Sequence, residues 1–252
     1  MASSAEHHQY LTLKSLAGSD AASFLQGYVT CDVETITPET AVPMAFTSLK
    51  GRVIANGWMF GSPAEVNFIV HQSVVEALDT HLSKYLVFSK STITEGEKSI
   101  VGFSTSGSTS TALEPFDWLV EAFPQHAYSN EQPALLDAAV TKEFAIVTKN
   151  TADRFLPQML GLTLFQTVNF NKGCYLGQEI IARAEHRGVI KRRLRRYSWA
   201  GEKPNPGQEF DQSGAAGIVI AANDAHALLV SSSDNAILTD AHCELTLVEL
   251  SL

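Results

Sequence analysis

The chain has 252 residues, 45% hydrophobic and 18% charged, with a formal net charge of −9. These are ordinary values for a globular chain that can bury one large core or two to three small ones. The acidic balance argues against a generic nucleic-acid coat, and no apolar run approaches the roughly 20 residues that span a bilayer, so no membrane partner is expected.

Residues 1–8 have neither the apolar core of a signal peptide nor the Arg-rich character of a transit peptide, so a cytoplasmic location is expected by default. Alternation over residues 10–13 predicts a strand, and a short helix is expected at 21–26 with Ser19 or Asp20 as its N-cap. Residues 42–46 and 53–60 read as strands around the Lys50-Gly51-Arg52 turn, a hairpin signal. A further strand is expected at 65–70. Val74, Val75, Leu78, Leu82, Tyr85 and Leu86 recur at the spacing of an amphipathic helix, and another strand follows near 99–103. The polar stretch 107–111 is either a long loop or a trimmed connection, and 117–147 carries mixed signals. Beyond Gly188, strand-like stretches at 194–200, 217–222, 225–230 and 243–250 alternate with Gly, Pro, Asn and Asp turns. That spacing suggests a small β-barrel or sandwich. The expected plan is an α+β body followed by an all-β C-terminal module, with 171–190 at their junction.

Three cysteines, Cys31, Cys174 and Cys243, lie far apart. An odd number without a Cys-x-x-Cys pair is neither a disulfide framework nor a zinc site, and three scattered thiols cannot complete a four-cysteine iron–sulfur site. No metal site is therefore expected within the chain. Cys31 and Cys243 read as small buried hydrophobes. Cys174 has a different setting, Lys172-Gly173-Cys174-Tyr175-Leu176-Gly177-Gln178-Glu179, a glycine-articulated loop feeding a helix. Gly173 and Gly177 permit backbone conformations closed to other residues, which would let the chain approach a ligand closely. Gln178 and Glu179 suit the first helical turn. A thiol just before a helix N-terminus and two residues from a lysine is in a setting that stabilises a thiolate. Cys174 is thus the candidate reactive group.

The next segment is basic. Arg183, Arg187, Lys191, Arg192, Arg193, Arg195 and Arg196 are 7 of the chain's 18 Lys and Arg, opposed within that stretch only by Glu185. Such a run could meet a phosphate backbone, a polyanionic small molecule or an acidic protein face, or be a solvated strand.

The 172–179 segment with Arg183 and Arg187 resembles the signature of the YgfZ family of folate-binding proteins, which is related to the aminomethyltransferase (T-protein) of the glycine cleavage system. The likeness extends to Leu16-Ala17-Gly18-Ser19-Asp20, to Phe24-Leu25-Gln26-Gly27 with Val29-Thr30-Cys31-Asp32-Val33, to Lys50-Gly51-Arg52, and to Phe155-Leu156-Pro157-Gln158-Met159. The resemblance implies a T-protein-like α+β body at 1–187, made of two subdomains with the second at roughly 50–105, and a small C-terminal β-barrel at 188–252. It implies tetrahydrofolate, or a derivative, as cofactor. It also implies a role in assembling or repairing iron–sulfur enzymes, including those that thiomethylate tRNA, with iron–sulfur carrier or client proteins as partners.

In this reading Cys174 acts as a nucleophile or as one ligand of a cluster shared with a carrier protein. Lys172, Gly173, Tyr175, Gly177, Gln178, Glu179, Arg183 and Arg187 serve cofactor binding. A separate, third possibility is that the basic run binds tRNA directly. The alternative is a tetrahydrofolate-dependent one-carbon (aminomethyl-type) transferase. Transferase relatives carry an acidic pair in the strand after the glycine turn, and here those places hold Ala55 and Asn56. Neither side chain is an acid or a base.

Overall fold

Apolar alternation from Leu11 produces the first strand, β1 (Leu11–Gly18), which ends where helix α1 (Ala21–Gln26) turns Ala21 and Leu25 into the core. Asp20 precedes that helix without capping it. Its carboxylate instead accepts hydrogen bonds from the Ser89 and Ser91 hydroxyls and the Lys90 amide, binding α1 to a link some 70 residues on. The computed structural model describes residues 11–104, 111–113, 118–124, 132–212, 215–232 and 237–248.

The expected hairpin forms from β2 (Thr40–Thr47) and β3 (Val53–Ser62), with Met44 opposite Gly57. Strand β4 (Glu65–His71), helix α2 (Val75–Leu86) and strand β5 (Ser91–Ser104) follow, near the positions that the periodicity predicts. Strand β6 (Thr111–Leu113) begins at the last residue of the polar stretch, and strand β7 (Trp118–Pro124) and helix α3 (Gln132–Thr141) occupy much of the region of mixed signals. Residues 107–110 of the polar stretch lie outside the described residues.

The strands β1 to β7 close into a barrel in the order β1-β4-β3-β2-β6-β7-β5. Closure occurs because β1 pairs with β4 along one side and with β5 along the other, which leaves no free edge. The β2–β6 pair is parallel, and the other pairs are antiparallel. Strands from both sides of residue 50 thus share one sheet, since the β2–β3 hairpin pairs across that point.

After α3 the chain runs against β3, turns through a short 3-10 segment (Leu162–Phe165) and enters helix α4 (Gln178–Arg187). The remaining strands are β8 (Arg193–Gly201), β9 (Glu209–Gln212), β10 (Ala215–Ala222), β11 (His226–Ser231), β12 (Ile237–Thr239) and β13 (Cys243–Val248). They form a sheet of order β12-β13-β8-β11-β10-β9, and contact between β12 and β9 brings it near closure. The sequence periodicity did not mark β9 and β12, which are only four and three residues long.

The two sheets share apolar core. Met44, Trp58, Phe68 and Phe144 belong to the same buried cluster as Ile220, Leu228 and Val230 from β10 and β11. Each large side chain removed from water in this way contributes about 1.5–3 kcal/mol. Strand β3 is buried along nearly its whole length because the chain after α3 covers its outer face. Trp58 stacks on Phe144 with ring centroids 5.0 Å apart, and Asn56 donates to the Ala145 carbonyl and accepts from the Val147 amide. That covering chain delivers the 172–179 segment to the turn of the β2–β3 hairpin.

Candidate functional site

The loop before α4 is held at four points. Asn169 accepts the Asn171 and Lys172 amides on its side-chain oxygen, an arrangement that turns the chain back on itself. The Lys172 ammonium donates to the carbonyls of Val29 (2.9 Å) and Cys31 (2.6 Å). The Leu176 amide donates to the Gly27 carbonyl at 2.9 Å, and the Thr47 hydroxyl donates to the Leu176 carbonyl at 2.6 Å. The N-terminal block 27–31 and the hairpin turn therefore clamp the loop from two sides. Cys174 lies on this fixed loop and is exposed, whereas Cys31 and Cys243 are buried.

The clamp changes the roles that sequence spacing suggested. Lys172 is expected beside the Cys174 thiolate, yet its ammonium is committed to two carbonyls of the N-terminal block. The thiol whose charge it feels is Cys31. Burial lowers the Lys172 pKa to about 8, against the opposing pull of Cys31, Asp32 and Glu34, and burial pushes the Cys31 thiol up to about 12.

These shifts have opposite consequences for stability. A depressed lysine makes the unfolded chain the better proton binder between about pH 8 and 10.4, so stability rises with pH in that window. A raised thiol makes the folded chain the better proton binder above its ordinary value, so stability falls there. Cys31 is common to the wild type and to Lys172→Met, so their difference isolates the lysine. We expect the wild type to gain stability relative to Lys172→Met between pH 7.5 and 9.5, read from urea midpoints. A pH-independent difference would refute the buried-ammonium assignment.

Tyr175 is a core residue, packed with Val168 and Ile181 and passed by the Lys172 ammonium 5.3 Å from its ring centre. Burial raises its phenol's pKa, and its hydroxyl has no hydrogen-bond partner among the described residues. Gly177 adopts φ +82° and brings its backbone against the hairpin turn, while Gly173 faces open space. Gln178 and Glu179 begin α4 as expected, and the Glu179 carboxylate takes the Arg183 guanidinium at 2.7 Å on the exposed helix face. An exposed pair of this kind contributes about 0–1 kcal/mol. Arg187 is exposed at the helix C-terminus.

The structure thus groups Lys172, Cys174, Tyr175 and Gly177 around one loop and spreads Glu179, Arg183 and Arg187 along a solvent-facing helix. Two cavities lie elsewhere. The first, of about 580 Å³, sits between the body and the C-terminal sheet; its wall includes His71, Lys149, Asn150 and Lys203 over apolar Ile146 and Ile220. The second, of about 500 Å³, runs between the C-terminal end of α4 and the start of β8. None of the nine sequence-predicted site residues lines either one. The walls of the first cavity come from segments far apart in the chain, so no local motif could have revealed it. Among the described residues, no group of three or more His, Cys, Asp or Glu could hold a metal ion.

The fold is similar to that of a glycine cleavage aminomethyltransferase: the aminomethyltransferase T of Bartonella henselae superposes with a TM-score of 0.71, covering 95% of this chain and 82% of that one at 11% identity. No protein-family model matches the chain. Its sequence is similar to curated proteins named tRNA-modifying protein YgfZ. The protein of that name from Sodalis glossinidius is 27% identical over 77% of this chain and 70% of its own length. Those from Yersinia enterocolitica and Yersinia pestis (strain Pestoides F) are 27% and 28% identical over 72% and 79% of this chain. The chain is thus similar in sequence to the YgfZ proteins and in fold to an aminomethyltransferase, the two likenesses that its 172–179 segment and N-terminal block carry. No helix among the described residues is long and apolar enough to cross a membrane.

Proposed function

We propose that this protein is a folate-dependent accessory factor for tRNA modification that serves iron–sulfur enzymes, with Cys174 as its reactive thiol. The observation that carries the reading is an exposed cysteine on a loop clamped at four points. A thiol held in this way is preorganised for a partner, whereas a merely structural cysteine is buried, as Cys31 and Cys243 are. The names of its sequence relatives support the link to tRNA modification, and its fold supports the link to folate.

The cleft between the two sheets has the chemistry for a reduced folate. Val140, Ile146 and Ile220 offer an apolar floor for a flat ring, and Lys149 and Lys203 offer cations for a glutamate tail. Lys203 also pairs with Asp224 at 3.0 Å. A bound folate would supply a one-carbon unit. The chain's own contribution is to hold that cofactor and to present a thiol on a second face.

Aminomethyl transfer is the weaker reading. Asn56 occupies the place of a transferase acid, and both ends of its amide are bonded to backbone.

The test is Cys174→Ala in cells that lack the native gene, with the thiomethylated fraction of tRNA as readout. The modified fraction is expected to fall about tenfold or more, since the thiol itself is the reacting group. The purified variant should melt within about 2 °C of wild type, because an exposed substitution costs under about 0.5 kcal/mol. Wild-type modification in Cys174→Ala cells sinks the thiol role.

A further inference from the structure

The basic run found in the sequence does not belong to the Cys174 loop; it borders the second cavity. Arg187, Lys191 and Arg192 are exposed, have no ion-pair partner among the described residues and flank the groove, and Arg193 lines it. Residues 187–193 contain no Asp or Glu, although the whole chain carries a net charge of −9. At the mouth, Leu164 and Val189 are 65% and 84% exposed, uncommon values for apolar side chains beside a cavity.

The groove wall has the opposite character. The Glu143 carboxylate, 1% exposed, lines it and pairs with Arg196 at 3.0 Å. Glu185 lines it and accepts a hydrogen bond from the Gln158 amide at 3.2 Å. The Gln158 carbonyl oxygen has no hydrogen-bond partner among the described residues.

Cations at the rim and hydrogen-bond acceptors on the wall select the occupant. An acidic peptide would carry its carboxylates toward the exposed Glu185 carboxylate and be repelled. An unpaired nucleotide divides its charge the other way: the base is neutral and offers N–H donors, while the negative charge stays on the phosphates outside. The volume of about 500 Å³ is within the range of small-molecule pockets. His186, which adjoins Glu185 and Arg187 on α4, pairs its ring with Phe170 at 5.8 Å, an aromatic pair on which a neighbouring base can stack.

We infer that the α4–β8 groove binds single-stranded RNA, seating one unpaired base between Leu164 and Val189 while Arg187, Lys191, Arg192 and Arg193 hold the flanking phosphates. The inference deepens the tRNA-modification reading and rests on it for the identity of the RNA.

The experiment is fluorescence anisotropy with a labelled anticodon stem-loop RNA, the same sequence as a closed duplex, and polyglutamate as competitor. Four phosphate contacts predict a salt slope near −2.8, an affinity loss of about fifty-fold between about 50 and 200 mM salt. Arg192→Gln/Arg193→Gln, at two exposed positions, should weaken binding about twenty-fold at about 0.1 M salt and halve the slope. Leu164→Glu, a further carboxylate at the mouth, should weaken the stem-loop while leaving the duplex unchanged. Equal affinity for stem-loop and duplex overturns the base pocket. Wild-type binding by the double variant, or displacement of RNA by polyglutamate alone at this face, overturns the RNA assignment. If the stem-loop is not bound while Cys174→Ala still lowers tRNA modification, the groove proposal falls alone. If RNA binds and Cys174→Ala has no cellular effect, the thiol reading falls alone.

Discussion

Replacing Asn56 with aspartate is expected to destabilise this protein by about 3–4 kcal/mol at pH 7 and hardly at all near pH 4. Asn56 is fully buried. Its amide nitrogen donates to the Ala145 carbonyl at 2.7 Å, and its oxygen accepts from the Val147 amide at 2.8 Å. Aspartate preserves the second contact and reverses the first, setting one oxygen against another. The conflict is relieved only when the carboxyl is protonated and can donate. Its folded pKa must therefore rise well above the ordinary value of about 3.9, and holding the proton at pH 7 costs about 1.4 kcal/mol for each unit of that gap.

The sign follows from the proton balance. The folded variant binds the extra proton that the unfolded chain has lost, so stability falls as pH rises above about 4. Urea unfolding of the wild type and Asn56→Asp at pH 4.5 and 7 reads this directly. An equal penalty at both values would mean that the contact with Ala145 is not what the aspartate disrupts. In the wild type this amide holds the chain after α3 onto β3.

That holding contact was invisible in the sequence, where Asn56 registered only as the absence of an acid. The sequence was most legible where structure repeats along the chain. The hairpin around Gly51, the amphipathic helix at 75–86 and the longer C-terminal strands β8, β10, β11 and β13 follow from local periodicity. Barrel closure was not legible, because it depends on β1 pairing with β4, 48–60 residues on, and with β5, 73–88 residues on. The site divides in the same way. Cys174 could be singled out from its neighbours, and the fold leaves it exposed. The partner of Lys172 could not, since spacing pointed to Cys174 two residues on, whereas Val29 and Cys31, some 140 residues earlier, hold the ammonium. The resemblance assigned Tyr175 to cofactor binding, and in the fold its side chain packs in a small cluster with Val168 and Ile181. Linear spacing reports what a residue stands next to, and both residues are governed by what the fold brings across to them.

The two glycines beside Cys174 provide the second large effect and separate the two kinds of constraint most sharply. Gly177→Ala is expected to cost about 3–5 kcal/mol, lowering the melting temperature by about 10 °C in a chain of this length. At φ +82° an L side chain is strained, and its Cβ would lie 2.4 Å from the Ser48 carbonyl oxygen and 2.8 Å from the Gly51 Cα. Both atoms are backbone, so relief requires α4 to move off the hairpin turn. That movement breaks the bonds from Thr47 to Leu176 and from Leu176 to Gly27. Gly173→Ala meets nothing within 4 Å and has no positive φ to relieve. It should change stability by less than about 1 kcal/mol, in the stabilising direction if the unfolded chain loses freedom. Thermal unfolding of the two variants side by side tests this contrast, and equal shifts would overturn it. In the Gly177→Ala protein, tRNA modification in cells should fall although the Cys174 thiol is intact, because the loop that presents it has lost two of its four clamps. The close approach that a glycine permits here is between the loop and the protein's own hairpin, and fixing Cys174 is its consequence.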